Sequence, residues 1–377
     1  MPDRVNQHFV LQFYFRNFTG GSKHIGALLK TTGRIVPAAP IKGQCAKNNF
    51  YGSKELESLF SNAESKYSSA IRRTLEVSWD HRAPDLTPEE YHVLLEATVF
   101  QRARTAIQAH KAAPATQGLG LQFLKMKVEA DPDIDDEFRR KILDHIEQGN
   151  IKVTEPPHVA VLRHIDVSLG CGVGLADLRG CILRNHTDYP FIFGDAPVVY
   201  YNSYCWKVKN RGVLGVQCPG LQVFYPLDCR TMLLLFDASV YQHPLDESLI
   251  HDISERADVS QINALQLHHS LNAVYFGQTE HQGYVQDLWQ AHASRLVVPT
   301  TECRINPDLW VDGKPPEGEL IQMMESQVDH DLDLSFLQCN RISQADYVFK
   351  PRSKELHDLC GRTIAGDNPQ MEYANEC

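Results

Sequence analysis

The sequence predicts an α+β fold in which a helical first half, residues 1–178, packs with a mainly antiparallel β-sheet formed by residues 179–298. Three observations predict it. Between Lys54 and Glu76 the apolar residues Leu56, Leu59, Phe60, Ala63, Tyr67, Ala70, Ile71 and Leu75 recur at helical spacing. Thr87-Pro88-Glu89-Glu90 combines a capping threonine, a first-turn proline and a capping-box glutamate. Beyond Leu178 the texture changes to short apolar runs, Gly180 to Arg184, Phe191 to Phe193, Val198 to Tyr201, Leu221 to Tyr225 and Met232 to Phe236. The connections between these runs are too short for parallel crossovers. Residues 1–298 read as one main domain. Residues 299–377, richer in Pro, Gly and charge, read as a loosely structured extension docking on the main body through Leu332, Leu334, Phe336 and Leu337.

With 377 residues and 43% hydrophobic composition the chain buries a sizeable core. A net charge of -10 argues against non-specific coating of nucleic acid, which draws its affinity from Lys and Arg, and leaves a local basic pocket open. The start lacks a basic segment followed by an apolar one, and no stretch approaches the roughly eighteen apolar residues of a membrane span. The expectation is a soluble cytoplasmic protein without a membrane partner. Ten cysteines without a Cys-x-x-Cys pair or zinc spacing fit free thiols in a reducing compartment.

The chain opens on His8-Phe9-Val10-Leu11-Gln12-Phe13-Tyr14-Phe15-Arg16-Asn17-Phe18, where His8, Gln12 and Arg16 stand four apart. On a helix they form one row, drifting by roughly 40° per step, with apolar side chains covering the rest. A helix apolar nearly all round is enclosed by protein, so the row faces either an internal hydrogen-bond network or a cleft. After Gly20-Gly21-Ser22, residues 24–29 and 33–36 predict a hairpin around Thr-Thr-Gly, and a connector from Pro37 to Pro40 leads to Lys47 in a loop. Lys47 there is either solvated or functional.

On the helix from Lys54, Glu57 and Glu64 are one heptad apart at the border of the apolar stripe. A carboxylate there is partly desolvated and either binds a cation or pairs with a neighbouring base. The helix from Pro88 is expected to reach about Lys111, with Thr98, Gln101, Thr105 and Gln108 in an uncharged polar row bordered by Arg104, again suited to inward hydrogen bonding. Residues 112–120 read as a loop, and 121–129 with 135–148 as a helical hairpin ended by Gly149-Asn150. Pro156-Pro157 opens the next helix. Gly170-Cys171-Gly172-Val173-Gly174 lacks both the third glycine and the Gly-Lys-Ser/Thr of a phosphate loop. Gly194-Asp195-Ala196-Pro197 predicts a tight turn, with Asp195 either bonding its own backbone or projecting toward chemistry. In the helix from Asp258 to Ser270, His268 and His269 diverge by about 100° and cannot hold one metal from that element alone.

Taken as a set, the opening motif, Ala46-Lys47 before Phe50-Tyr51-Gly52, Glu57 and Glu64, Gln101 with Arg104-Thr105, Pro190-Phe191, Asp195-Ala196-Pro197 and Pro226-Leu227 resemble the family known as domain of unknown function 4238, over roughly residues 6 to 280. Where that family pattern has Pro, this chain has Leu11. Where it has Thr-Ser-Asp-Asn-Pro, this chain has Phe193-Gly194-Asp195-Ala196-Pro197, so a hydroxyl and an amide are absent. The resemblance implies no activity.

The polar residues of that set suggest an anion held between Arg16, Lys47 and Arg104, since guanidinium forks suit phosphate or carboxylate, with Gln12 and Gln101 as further substrate-binding groups. His8 or Glu64 would serve as general base, Asp195 as a further catalytic residue, and Glu57, Glu64 and Asp195 as ligands of a divalent metal. The reading is a hydrolase or nuclease-like enzyme acting on a nucleotide or nucleic-acid phosphoryl group. The rival is a non-catalytic protein-binding module in which His8, Arg16, Glu64 and Arg104 form a buried structural network.

Overall fold

The structure, a computed structural model, describes residues 6–52, 54–80, 86–243, 249–305 and 321–364. The first half runs β1 (Asn6–His8), α1 (Gln12–Thr19), β2 (His24–Leu29), β3 (Ile35–Pro40), β4 (Ala46–Asn48), α2 (Lys54–Asp80), α3 (Pro88–Ala103), α4 (Ala106–Ala130), α5 (Asp136–Glu147) and α6 (Pro157–Cys171). The second half supplies β5 (Arg179–Asn185), β6 (Phe193–Gly194), β7 (Val199–Tyr201), β8 (Gln222–Pro226), β9 (Thr231–Phe236), β10 (Tyr241–Gln242), β11 (Ile250–Ile253), α7 (Arg256–His269), β12 (Ala273–Phe276) and α8 (Gln282–His292). Then come β13 (Thr301–Ile305), β14 (Ile321–Glu325), β15 (Gln338–Cys339) and α9 (Lys354–Ile364). The fold is α+β with a helical N-terminal half and mainly antiparallel sheets, as the sequence predicts.

Five strands pair in the order β11-β5-β9-β8-β7, antiparallel except for the parallel pair β11 with β5. Both faces of this sheet are buried. Val223, Tyr225, Leu233 and Leu235 share a core with Tyr14, Leu94 and Val161 of α1, α3 and α6. Phe224, Met232, Leu234 and Phe236 pack with Val259, Ile262 and Leu265 of α7, and Leu332, Leu334, Phe336 and Leu337 join this second core. Burial on both faces explains why these strands are continuous apolar runs instead of alternating ones.

A second sheet has the order β3-β2-β12-β6. Ala264 and Leu267 of α7 pack with its Leu28, Val274 and Phe276, so α7 lies between two apolar layers and is buried on nearly every side. Its two amides substitute for a neighbouring strand. Asn263 accepts from Ile192 N and donates to Pro190 O, and Gln266 accepts from Gly194 N and donates to Pro197 O, at 2.8–3.0 Å. Polar backbone that would otherwise be buried without partners is thereby satisfied.

Four local expectations are corrected. The opening helix begins at Gln12, not His8, because residues 6–8 pair as a strand with Ala46–Asn48 and Leu11 is extended at φ -69°, ψ 141°. Pro37 and Pro40 lie within β3, the outer strand of its sheet, where a missing N–H is tolerated. The helix from Pro88 stops at Ala103, and Thr105, extended at φ -82°, ψ 154°, starts a new one. That helix continues through Pro114 to Ala130, where a loop was expected; Ala112 and Ala115 are buried on it. Among the described residues no helix is long and apolar enough to cross a membrane.

The end of β12 packs closely against α1. A Cβ on Gly277 would stand 1.9 Å from the carbonyl oxygen of Phe18, whereas one on Gly118 in α4 would meet nothing within 4 Å. Gly277→Ala is expected to cost about 1–3 kcal/mol by forcing the backbones apart. Gly118→Ala is expected to stabilise by about 0.5–1 kcal/mol through helix propensity. Urea unfolding midpoints check both, and equal effects would contradict the packing described.

Candidate functional site

Arg104 follows the last residue of α3 and is 1% exposed, yet every arm of its guanidinium is used. Nε donates to Tyr51 Oη at 2.8 Å, Nη1 to Glu64 Oε1 at 2.7 Å and Nη2 to the carbonyl oxygen of His8 at 2.7 Å. The cation also lies 4.8 Å from the Phe100 ring centre. Around it, Gln7 Oε1 accepts from Tyr51 N at 2.6 Å, and Gln101 Nε2 donates to Phe9 O at 3.0 Å. The polar row on α3 and α4 is buried and serves backbone carbonyls. Thr98 bonds Leu94 O, while Thr105 and Gln108 both bond the Arg102 carbonyl that the helix break leaves over. Such a network is a joint, not a ligand site.

The remaining expected site residues are dispersed. The His8 ring donates Nε2–H to Lys42 O at 3.1 Å, and its pKa is lowered, chiefly by burial. Arg16 is exposed and donates to Gln12 at 3.3 Å. Lys47 is exposed too, on β4 instead of in a loop, with its ammonium 5.9 Å from the Phe50 ring centre. The expected clamp of Arg16, Lys47 and Arg104 is therefore not assembled, since Arg16 and Lys47 are exposed while Arg104 is buried with each of its three nitrogens bonded within the protein. Asp195 accepts from Leu271 N, Asn272 N and Asn272 Nδ2 at 2.7, 2.8 and 3.0 Å. Burial raises its pKa against those bonds, and the nearby Lys30 opposes the rise. Lys30 caps the end of α7 by donating to the carbonyls of His268 and Ser270. Asp195 thus pins the turn after α7. The side chain of Glu57 lies outside the described residues. Glu64 and Asp195 do not join a group with metal-ligand spacing among the described residues; the three that do are His268, His292 and His330.

The break between α3 and α4 produces a second polar centre that the sequence reading did not identify. Arg102, two residues before Arg104 and so on the other side of α3, stacks over Tyr200 with Cζ 3.9 Å from the ring centre. Its Nη2 donates to Glu325 Oε2 at 2.5 Å, and Lys111 Nζ donates to Glu325 Oε1 at 2.6 Å and contacts His269 Nε2 at 2.9 Å. His269 Nδ1 faces the carbonyl of Ala196 at 3.1 Å, which can only accept. The proton therefore sits on Nδ1, and Nε2 accepts from Lys111. Burial alone would raise the Glu325 carboxyl, but Arg102 and Lys111 win and hold it below the ordinary carboxylate range. Lys111 is 1% exposed, and burial pulls its ammonium down against the pull of Glu325.

This centre forms one wall of a cleft of about 810 Å³, lined also by His164, Tyr200, Arg211 and Tyr347 and by apolar side chains including Val99, Val167 and Leu214. Three buried polar atoms in that lining have no partner: Arg102 Nε, His164 Nε2 and the Tyr347 hydroxyl. Buried polar atoms are almost always satisfied, so three orphans around one cavity mark a place that a ligand or water completes. Burial, then the charges of Arg102 and Arg163, lower His164 to about 4. Its imidazole is neutral at neutral pH. The one local signal for this centre in the sequence is the pair Arg102 and Arg104; Glu325 and His164 arrive from distant elements with no motif.

A family model described as "Protein of unknown function (DUF4238)" matches residues 6–280. No curated protein and no solved structure matches the chain.

Arg104→Ala removes the bonds to Tyr51, Glu64 and the His8 carbonyl together, and is expected to cost about 3–5 kcal/mol in urea unfolding. Arg16→Ala, on the surface, is expected to stay within about 0.5 kcal/mol. Near-equal midpoints for the two variants would contradict the joint.

Proposed function

The chain belongs to the DUF4238 family of proteins of unknown function, which assigns it no activity, and we propose on its own geometry that it is a hydrolase acting on a phosphate ester of a nucleotide or nucleic-acid fragment, in the cleft beside Arg102. The observation that carries this is the pair of unpartnered buried nitrogens, Arg102 Nε and His164 Nε2, in the lining of one cavity. A buried guanidinium N–H held by Glu325 and Tyr200 is a preorganised donor for an anionic oxygen. Arg211 adds charge to the lining, and Val99, Val167 and Leu214 offer a surface for the organic part.

In this reading water attacks phosphorus, the new P–O bond forms as the ester P–O bond breaks, and His164 Nε2 takes the proton of the attacking water. Burial keeps the Tyr347 phenol protonated. Its hydroxyl therefore stands in the same cleft to donate a proton to the departing oxygen. The free thiols among the described cysteines support a reducing, cytoplasmic setting.

A second reading, a non-catalytic module organised by a structural polar network, is favoured by one observation, the complete enclosure of Arg104. The two differ in what the Arg102 cleft does, since both leave Arg104 a structural role.

Hydrolysis of nucleoside monophosphates and of short oligonucleotides, with calorimetric titration of the same compounds, separates them. The hydrolase reading expects His164→Ala to lower turnover by about 10²–10⁴-fold while binding changes by only a few-fold. Because His164 is lowered to about 4, it loses its proton below neutral pH, and the acid limb of the rate profile should fall near pH 4 instead of near the ordinary histidine value. Absence of hydrolysis and binding by the wild-type protein, or unchanged turnover in His164→Ala, would overturn it.

A further inference from the structure

We propose that His268, His292 and His330 form a binding site for one divalent transition-metal ion of the zinc or cobalt type. The three residues come from the last turn of α7, the last residue of α8 and the segment after β14. One ring nitrogen of each lies within 4.8 Å of the other two. His268 Nε2 and His292 Nδ1 stand 3.0 Å apart. A tetrahedral ion with metal–nitrogen bonds of roughly 2.0–2.1 Å sets its ligand nitrogens roughly 3.3–3.4 Å apart, so small ring movements bring the cluster to that geometry.

The orientation of His330 supports a ligand role. Its Nε2 lies 3.1 Å from the carbonyl oxygen of Gln261, which can only accept, so Nε2 carries the proton and Nδ1 keeps its lone pair. A ring fixed by an N–H to backbone carbonyl bond is the usual arrangement behind a metal-bound histidine. The three rings are held close, with centres 5.0–5.6 Å apart. Three neutral imidazoles suit zinc, cobalt or nickel better than calcium or magnesium, which require oxygen ligands. With three protein ligands a fourth position remains for water.

Two cations border the cluster. Lys30 is committed to the carbonyls of His268 and Ser270 and caps the helix. Arg295 is exposed, with Nη2 3.5 Å from His292 Nδ1, the atom a metal would engage. Arg295 therefore competes with the ion and must swing into solvent when it binds. His269, the neighbour of His268, takes no part, because it is committed to Lys111 and the Ala196 carbonyl.

The test uses the full chain, stripped with a chelator and free of any affinity tag, titrated with Co²⁺ by absorption and with Zn²⁺ by calorimetry. The proposal expects one ion per chain and visible bands of tetrahedral cobalt without the thiolate charge-transfer band that cysteine ligands produce. His292→Ala, at a half-exposed position that tolerates truncation, and His330→Ala should each weaken zinc binding by about tenfold or more. Arg295→Ala should tighten it a few-fold. No stoichiometric binding, a thiolate band, or unchanged affinity in His292→Ala would overturn the site.

Discussion

The three bonds of Arg104 tie together segments far apart in the sequence: the carbonyl of His8 at the end of β1, the Tyr51 hydroxyl, and Glu64 on α2. A buried guanidinium that loses a partner is costly, so the first strand, the turn before α2 and the end of α3 cannot shift independently. Much of the site geometry follows from this. The chain turns at Thr105, α4 departs in a new direction, and Thr105 and Gln108 take up the Arg102 carbonyl left by the break. Arg102, two residues earlier, is thereby turned toward Tyr200, Glu325 and Lys111 instead.

The result is two cationic centres of different character a few residues apart. At Arg104 the aromatic residues and the carbonyl close the space, and the charge serves as a joint. At Arg102 the guanidinium is neutralised on one side by Glu325 and keeps Nε uncommitted beside a cavity that also holds the unpartnered nitrogen of His164. The same logic applies along α7. The buried helix α7 satisfies residues 190–197 with Asn263 and Gln266. It also presents His269 to Lys111 and His268 to a separate group of imidazoles.

How much of this was legible in the sequence depended on how local each cause was. The capping box at Thr87, the start of α5 at Asp135, the helix from Pro157 and the apolar strands come from neighbouring residues, and their positions were readable within a few residues. The polar row Thr98, Gln101, Thr105 and Gln108 was correctly expected to face inward, but its partners are carbonyls, which no side-chain pattern announces. His8 was placed on a helix because its spacing from Gln12 and Arg16 suits one. Pairing with Ala46–Asn48, some forty residues away, takes it into a strand instead. The break after Ala103 likewise has tertiary causes. Glu325, His292 and His330 sit in stretches without a motif, and only the fold brings them to Arg102 and His268.

The central claim is that Arg102, and not Arg104, faces an anion. It is tested most directly by the shift that inorganic phosphate produces in the thermal unfolding midpoint, since a ligand bound to the folded state raises that midpoint by an amount that grows with the logarithm of its concentration over its dissociation constant. Phosphate should raise the midpoints of the wild-type protein and of Glu64→Gln by similar amounts, and should leave that of Arg102→Gln unchanged. A shift that survives in Arg102→Gln and disappears in Glu64→Gln would contradict the account.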